Sequence, residues 1–508
     1  MRALKLLMPA LPALMMCSQA LAADVLLKNV TIYDGTGGAP YAGDVRIRGS
    51  HIDAMGRSLK ALPGMEVRDE HGLALAPGFI DMHSHANWGI LKDPDAAPVA
   101  RQGVTTVLVG QDGESDYPLK DWYAKLAATP AAINVASMIG HATLREQVMG
   151  KDLYRPSTPA ELARMKAMLS TELKAGAFGL STGLEYEQGH FATTEEVIEL
   201  AKIAGASGGF YISHVRDEAN NTFASFDEIL RIGREAHLPV EITHIKLGST
   251  PVWHMAARRM PGYFARAARE HVDLRADVYP YTYWKSTIRV IVPDRDYYNP
   301  VKVEQAIKDN GGAGAIRITT YAPEPALAGK TLEDFARTWN VTPVDAYMRV
   351  VKATSSELDT GEELENVIVT SMSDDDVRWF IGQPQITFCS DGELHGAHPR
   401  GAGTFPRVLG RYAREQKVLT LASAIQRLSA LPARQLGLTD RGRIAKGMVA
   451  DLVLFDPLTV IDQATIEHPD APPLGIPAVM VSGEWVIDGG EVTGRRPGRI
   501  LRSAAYRD

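Results

Sequence analysis

GFIDMHSHANWG, Gly78 to Gly89, runs from an apolar stretch into two histidines one residue apart. Residues i and i+2 of a strand point to the same face, so His83 and His85 can aim two imidazoles at one ion. The spacing alone is weak, because an HxH pair also arises by chance. Its meaning depends on what ends the other apolar runs of the chain.

Seven more such runs follow: TTVLVG, INVASMIGH, AFGLSTG, FYISH, VEITH, LRADVYPY and QITFCSD, with helical patterns between many of them. Eight strands with intervening helices predict an α/β fold, a (β/α)8 TIM-like barrel, whose chemistry sits at the C-terminal strand ends. Those ends are polar here. Gln111-Asp112 follows the second run, His141 ends the third, His214 the fifth, His244 the sixth and Ser390-Asp391 the eighth. The interval from Tyr281 to Gln385 is too long for one helix and predicts an inserted subdomain at about 284–374.

Outside the barrel the pattern changes. VLLKNVTIYDG and DVRIRGSHIDAMG near the start, and ADLVLFDP and PAVMVSGEWVIDGG near the end, read as short strands between Gly and Asp turns. They predict a small β-sandwich domain built from both chain ends, residues 23–76 and 438–508, around a barrel at 77–437. Residues 1–22 read as a signal peptide: Arg2 and Lys5, an apolar stretch, then Ala20-Leu21-Ala22 as cleavage site. The expected location is periplasmic or secreted. Cys17 offers lipid anchoring as a weaker alternative, since Met15 and Met16 are not the small residues such a site favours.

With 45% hydrophobic and 23% charged residues the composition is that of a globular protein. A net charge of −7 offers no general attraction to nucleic acid or anionic membranes. No zinc-finger spacing, phosphate loop or heptad seam is present, and no further segment resembles a membrane span. Beyond the leader, Cys389 is the only cysteine, which excludes an internal disulfide.

His83, His85, His214 and His244 at matched strand ends, with a carboxylate, form a donor set suited to one or two Zn2+ ions; manganese, cobalt or nickel also fit. Asp391 fits a different task. A carboxylate beside a metal-bound water takes its proton, the hydroxide attacks a carbonyl, and the acid then protonates the leaving amine. His51, His71, His237, His254, His271 and His468 read as ordinary core or surface side chains.

These residues resemble the amidohydrolase superfamily, and the chain looks like its D-aminoacylases, the N-acyl-D-amino-acid deacylases. The stretches that carry the resemblance include APGFIDMHSH, QGVTTVLVG, SMIGHATLREQVMG, GAFGLSTGLEY, SHVRDE, THIKLG, DVYPYT and SDGELHGAHPRGAGTFPRVLGRY. It implies His83 and His85 at one metal position, His214 and His244 at the other, and Asp391 as general acid/base. It further suggests Lys246, Tyr281, His141 and Arg407 as groups that line the pocket or hold a substrate carboxylate. Where the D-aminoacylases carry a GNCG-like stretch with a cysteine ligand, this chain has GQDGES, with Asp112 at that place. Asp112 is the expected replacement ligand, and Glu185 in STGLEY its rival. Ala86-Asn87 departs from the acidic residues that often follow the HxH pair. The implied reaction is hydrolysis of a C–N amide bond, releasing a D-amino acid from an N-acyl derivative or from a dipeptide. The alternatives are a cyclic-amide hydrolase of the dihydropyrimidinase type and an exported binding protein without turnover.

Overall fold

A computed structural model describes residues 24–356 and 363–507; the expected signal peptide lies outside them. Eight parallel strands form the barrel. In order they are Phe79–Asp81, Val104–Val109, Asn134–Ser137 (continued by Ile139–Gly140), Gly179–Gly183, Phe210–His214, Val240–Ile242, Leu274–Val278 and Ile386–Phe388. Each is short and, apart from Leu274 and Arg275 at the start of the seventh, buried, as strands covered on both faces are. Pairing is regular from the fourth strand to the eighth. At the seam between the first and eighth strands Ser84 bridges Gly392, the Asp391 amide donates to the His83 carbonyl at 2.8 Å, and the His85 amide to the Gly392 carbonyl at 2.9 Å. That pairing carries strand one's alternation through the two histidines, past its regular end.

Helices cover the barrel where local signals start and stop them. Thr158 and Glu161 form a capping box ahead of the helix Pro159–Ala175, Pro159 opens it, and Gly176 ends it in the left-handed region.

Nine strands from the two chain ends make one sheet, eight of them along an unbroken hydrogen-bonded path and Glu66–Asp69 pairing with Val25–Ile32 beside it. The two contributions join where Ala74–Pro77 pairs antiparallel with Leu452–Phe455. Val30, Ile47, Leu452 and Met480 share its core. Between strands seven and eight lies a three-stranded antiparallel sheet, Trp284–Ser286, Ile316–Tyr321 and Glu365–Val369. The helices Pro300–Asp309, Leu332–Trp339 and Pro343–Ala353 belong to the same inserted region. From it Lys285, Arg289, Arg295 and Tyr297 reach over the barrel mouth and help line a cavity of about 620 Å3.

Candidate metal and catalytic site

Donor atoms of His83, Asp112, His244 and Asp391 lie within 4.8 Å of one another at the C-terminal strand ends. His85 joins them. Its Nε2 is 3.2 Å from His83 Nε2, 3.4 Å from Asp112 Oδ2 and 3.3 Å from Asp391 Oδ1. On the other side His214 Nδ1 stands 3.2 Å from His244 Nε2, which is 3.3 Å from Asp112 Oδ1. Asp112 therefore lies between two imidazole pairs, in contact with both.

Three of these residues leave the period-two geometry of a strand. Asp112, His244 and Asp391 have φ of 55°, 36° and 50°. Left-handed backbone at a non-glycine residue costs of order 1–3 kcal/mol and turns side chains where a regular strand would not. After strand six, this lets Thr243 and His244 both serve the site although they are adjacent.

The outer nitrogens of the histidines are already committed. His83 Nδ1 is 2.7 Å from Thr243 Oγ1, whose hydroxyl donates to Asp277 at 3.0 Å. The hydroxyl hydrogen is thus spent on the carboxylate, so its oxygen accepts from His83 Nδ1–H, and the Nε2 lone pair faces the cluster. His214 donates from Nε2 to Glu185 Oε2 at 2.9 Å, leaving Nδ1 inward. His244 Nδ1 faces Glu218 Oε1 at 3.1 Å and Lys246 Nζ at 2.9 Å. The inward lone pairs of His83 Nε2 and His214 Nδ1 each stand 3.2 Å from a second imidazole nitrogen, beside carboxylates that favour positive charge. Four imidazoles and two carboxylates therefore fit a divalent metal by donor chemistry and by this geometry. Burial opposes charge on His85 and His244, yet the neighbouring carboxylates prevail and raise both, so the surroundings favour positive charge. Burial likewise opposes charge on Asp391, but Arg400 and the histidines hold its carboxyl far below the usual range.

The other expected positions divide. Glu185 sits on the outward nitrogen of His214 rather than within the group of four, so its geometry is that of an orienting acceptor. Lys246 faces the cluster, with its ammonium on both Glu218 oxygens at 2.7 and 2.6 Å. His141 does not reach the cavity. The chain has already turned into the helix His141–Met149, and its Nε2 donates to Glu196 at 2.9 Å in a buried network with Arg145. Tyr281 packs against His398, and Arg407 braces Pro280 O at 2.9 Å and Asp462 at 2.8 Å. Their places at the site are taken by Tyr279 and Arg400. Arg400 begins the helix Arg400–Arg407 that Arg407 ends, and it pairs with Asp391 Oδ2 at 2.6 Å. Tyr279, directly after strand seven, lies beneath Arg400 and Lys246, and its buried hydroxyl has no hydrogen-bond partner among the described residues. Position relative to the strand end signals Tyr279. Nothing in the local sequence ranks Arg400 above Arg407.

Residues 66–296 and 369–487 match the amidohydrolase family. The chain is 36% identical to the D-aminoacylase of Alcaligenes xylosoxydans xylosoxydans over 95% of its own length and 98% of that protein's. It is also 36% identical to the N-acyl-D-aspartate deacylase of the same organism, over 94% of this chain and 95% of that one. Its fold matches the crystal structure of the N-acyl-D-glutamate deacylase of Bordetella bronchiseptica, complexed with zinc and a phosphonate mimic of the tetrahedral intermediate. The TM-score is 0.83 and the identity 33%, covering 95% of this chain and all of that one.

Proposed function

Since the chain belongs to the amidohydrolase family and to its D-aminoacylase group, we propose that it hydrolyses N-acyl-D-amino acids at the C–N amide bond. Zinc is the expected ion, in one or two positions. His214 and His244 would hold one and His83 and His85 the other, with Asp112 between the two pairs as a further ligand. When bound, zinc polarises the amide carbonyl and brings the pKa of a water from about 15.7 toward about 7.

The remaining work falls to the chain. Asp391 is the observation that carries the reading: Arg400 occupies its Oδ2, while Oδ1 stands beside His83 and His85 and is the oxygen available for proton transfer. It takes a proton from the attacking water as the oxygen bonds to the amide carbon. It returns that proton to the nitrogen as the C–N bond breaks, giving a carboxylic acid and a free D-amino acid. Lys246, Arg400 and the unpartnered Tyr279 hydroxyl make the polar end suited to the substrate's carboxylate, with Glu218 holding Lys246 in place. The inserted region roofs the cavity and limits water around the reacting amide.

Amine release from N-acetyl-D- and N-acetyl-L-amino acids, measured beside ring opening of hydantoins to N-carbamoyl amino acids, tests this. Turnover of the D-substrates, lost with a chelator and regained with zinc, is expected. Asp391→Asn should lower kcat by at least about 100-fold. Full activity in chelator, or an unchanged kcat in the variant, overturns it. Preferential opening of hydantoins would favour the cyclic-amide alternative. We further propose export to the periplasm or beyond, on the basic, apolar and Ala20-Leu21-Ala22 pattern of residues 1–22, which fractionation of the expressing cell checks.

A further inference from the structure

Most charges around the cavity are paired. Arg400 meets Asp391 at 2.6 Å, Lys285 meets Glu393 at 2.6 Å, Arg295 meets Glu187 at 3.2 Å and Arg289 meets Glu365 at 3.3 Å. Lys151 and Glu363, also on the wall, each have an interaction of their own. Glu114 and Glu146 line the same cavity with no ion pair or side-chain hydrogen bond among the described residues. Burial pushes the Glu146 carboxyl up, and Glu114 adds to the effect, so the two carboxylates are within electrostatic reach of each other.

Two independent features share that lining. Gln111 donates its amide hydrogens to Met82 O at 3.1 Å and Leu108 O at 3.3 Å, which fixes its orientation; its buried Oε1 then has no partner among the described residues. Trp88 and Tyr154 also line the cavity, 51% and 52% exposed, and Trp88 stacks on His85 with ring centroids 4.3 Å apart. These five residues bring hydrogen-bond acceptors and aromatic faces, and the charge set against the two carboxylates is that of His85, toward Glu114. An ammonium or guanidinium satisfies all three kinds of group, because it donates to carboxylates and amide oxygens and lies favourably over aromatic rings. An anionic group meets like charge there, and an aliphatic group desolvates two carboxylates without compensation.

Resting on the deacylase reading, we propose that the substrate carries a positive charge away from its scissile amide, received by Glu114 and Glu146 beside Trp88. Two sources share this chemistry: a basic side chain on the D-amino acid, or the free α-ammonium of an aminoacyl group in a dipeptide.

The test uses the zinc-loaded full chain and compares kcat/KM for the N-acetyl derivatives of D-lysine, D-arginine, D-leucine and D-glutamate, and for L-alanyl-D-leucine with and without N-acetylation. We expect one cationic series to exceed N-acetyl-D-leucine by at least tenfold and N-acetyl-D-glutamate by more. The basic N-acetyl series identifies the side chain as the source; preference for the free-amine dipeptide over its acetylated form identifies the acyl group. In Glu114→Gln and in Glu146→Gln the cation-to-leucine ratio should fall at least tenfold, mainly through KM. The ratio is taken within each variant, so a partial folding defect cancels. Equal or better turnover of the leucine and glutamate substrates, with ratios unmoved in both variants, overturns the cation proposal and leaves the deacylase reading standing. No turnover of any substrate in the panel overturns both.

Discussion

Thr243 decides which nitrogen of His83 carries the proton. Its hydroxyl is spent on Asp277, so it accepts from Nδ1 and leaves Nε2 to bind metal. Replacing it by valine keeps the shape and removes the acceptor. Thr243→Val should weaken zinc binding by about 10- to 100-fold, read by competition with a chelator, while circular dichroism of the folded protein stays unchanged. An unaltered zinc affinity would show that the ring is oriented by packing alone. Asp112 provides a sharper case, because it touches both histidine pairs. Asp112→Asn retains one oxygen but loses the charge that balances the ions, and the zinc content of the purified protein should drop below that of the parent. His83, His85, His214, His244 and Asp391 were legible from position, since each stands at the end of an apolar run, though the same rule also pointed to His141. Thr243 was hidden for a definite reason: the left-handed backbone of His244 beside it breaks the alternation from which a side chain's direction is inferred.

At the scale of elements, a helix start converts an apparent strand-end ligand into a structural group. His141 opens its helix, and its ring joins Arg145 in binding Glu196, whose other oxygen takes Ser157. Burial opposes charge on that carboxylate, but His141 and Arg145 prevail and hold it well below the usual range. A depressed folded-state pKa gives stability that is present above the unfolded value, about 4.3, and lost as pH falls below it. Glu196→Gln should therefore cost about 3 kcal/mol at pH 7, with the gap to the parent narrowing below about pH 4 in thermal melts. A gap independent of pH would assign the cost to packing. The eight strands were readable because each is a short apolar run between turn residues. The choice between Arg400 and Arg407 was not. Seven residues are about two helical turns, so both fall on nearly the same face, and only the placement of the helix decides which meets Asp391.

Across the whole molecule, barrel and sheet share a buried junction. Asp451 receives Arg441 at 2.7 Å, the Asn134 side chain at 2.9 Å and the Ser482 amide at 2.7 Å, linking barrel strand three to the segment that enters the sheet. Asp451→Ala leaves the buried Arg441 guanidinium without its Asp451 partner and should destabilise by about 3–5 kcal/mol. The expected result is a lower Tm in a single transition, with KM of the surviving enzyme little changed. Two separated transitions would mean that the sheet and barrel unfold independently. The pairing of both chain ends into one sheet also sets an order in time. Arg68 binds Asp488, 420 residues further on, and the strand Ala74–Pro77 meets Leu452–Phe455 only after the intervening barrel has been synthesised. Until then a nascent chain presents one half of a ladder with an open, aggregation-prone edge. The early strands wait for the late ones, so this protein should depend on protection from chaperones during synthesis more heavily than a barrel whose first strand finds its partner at once.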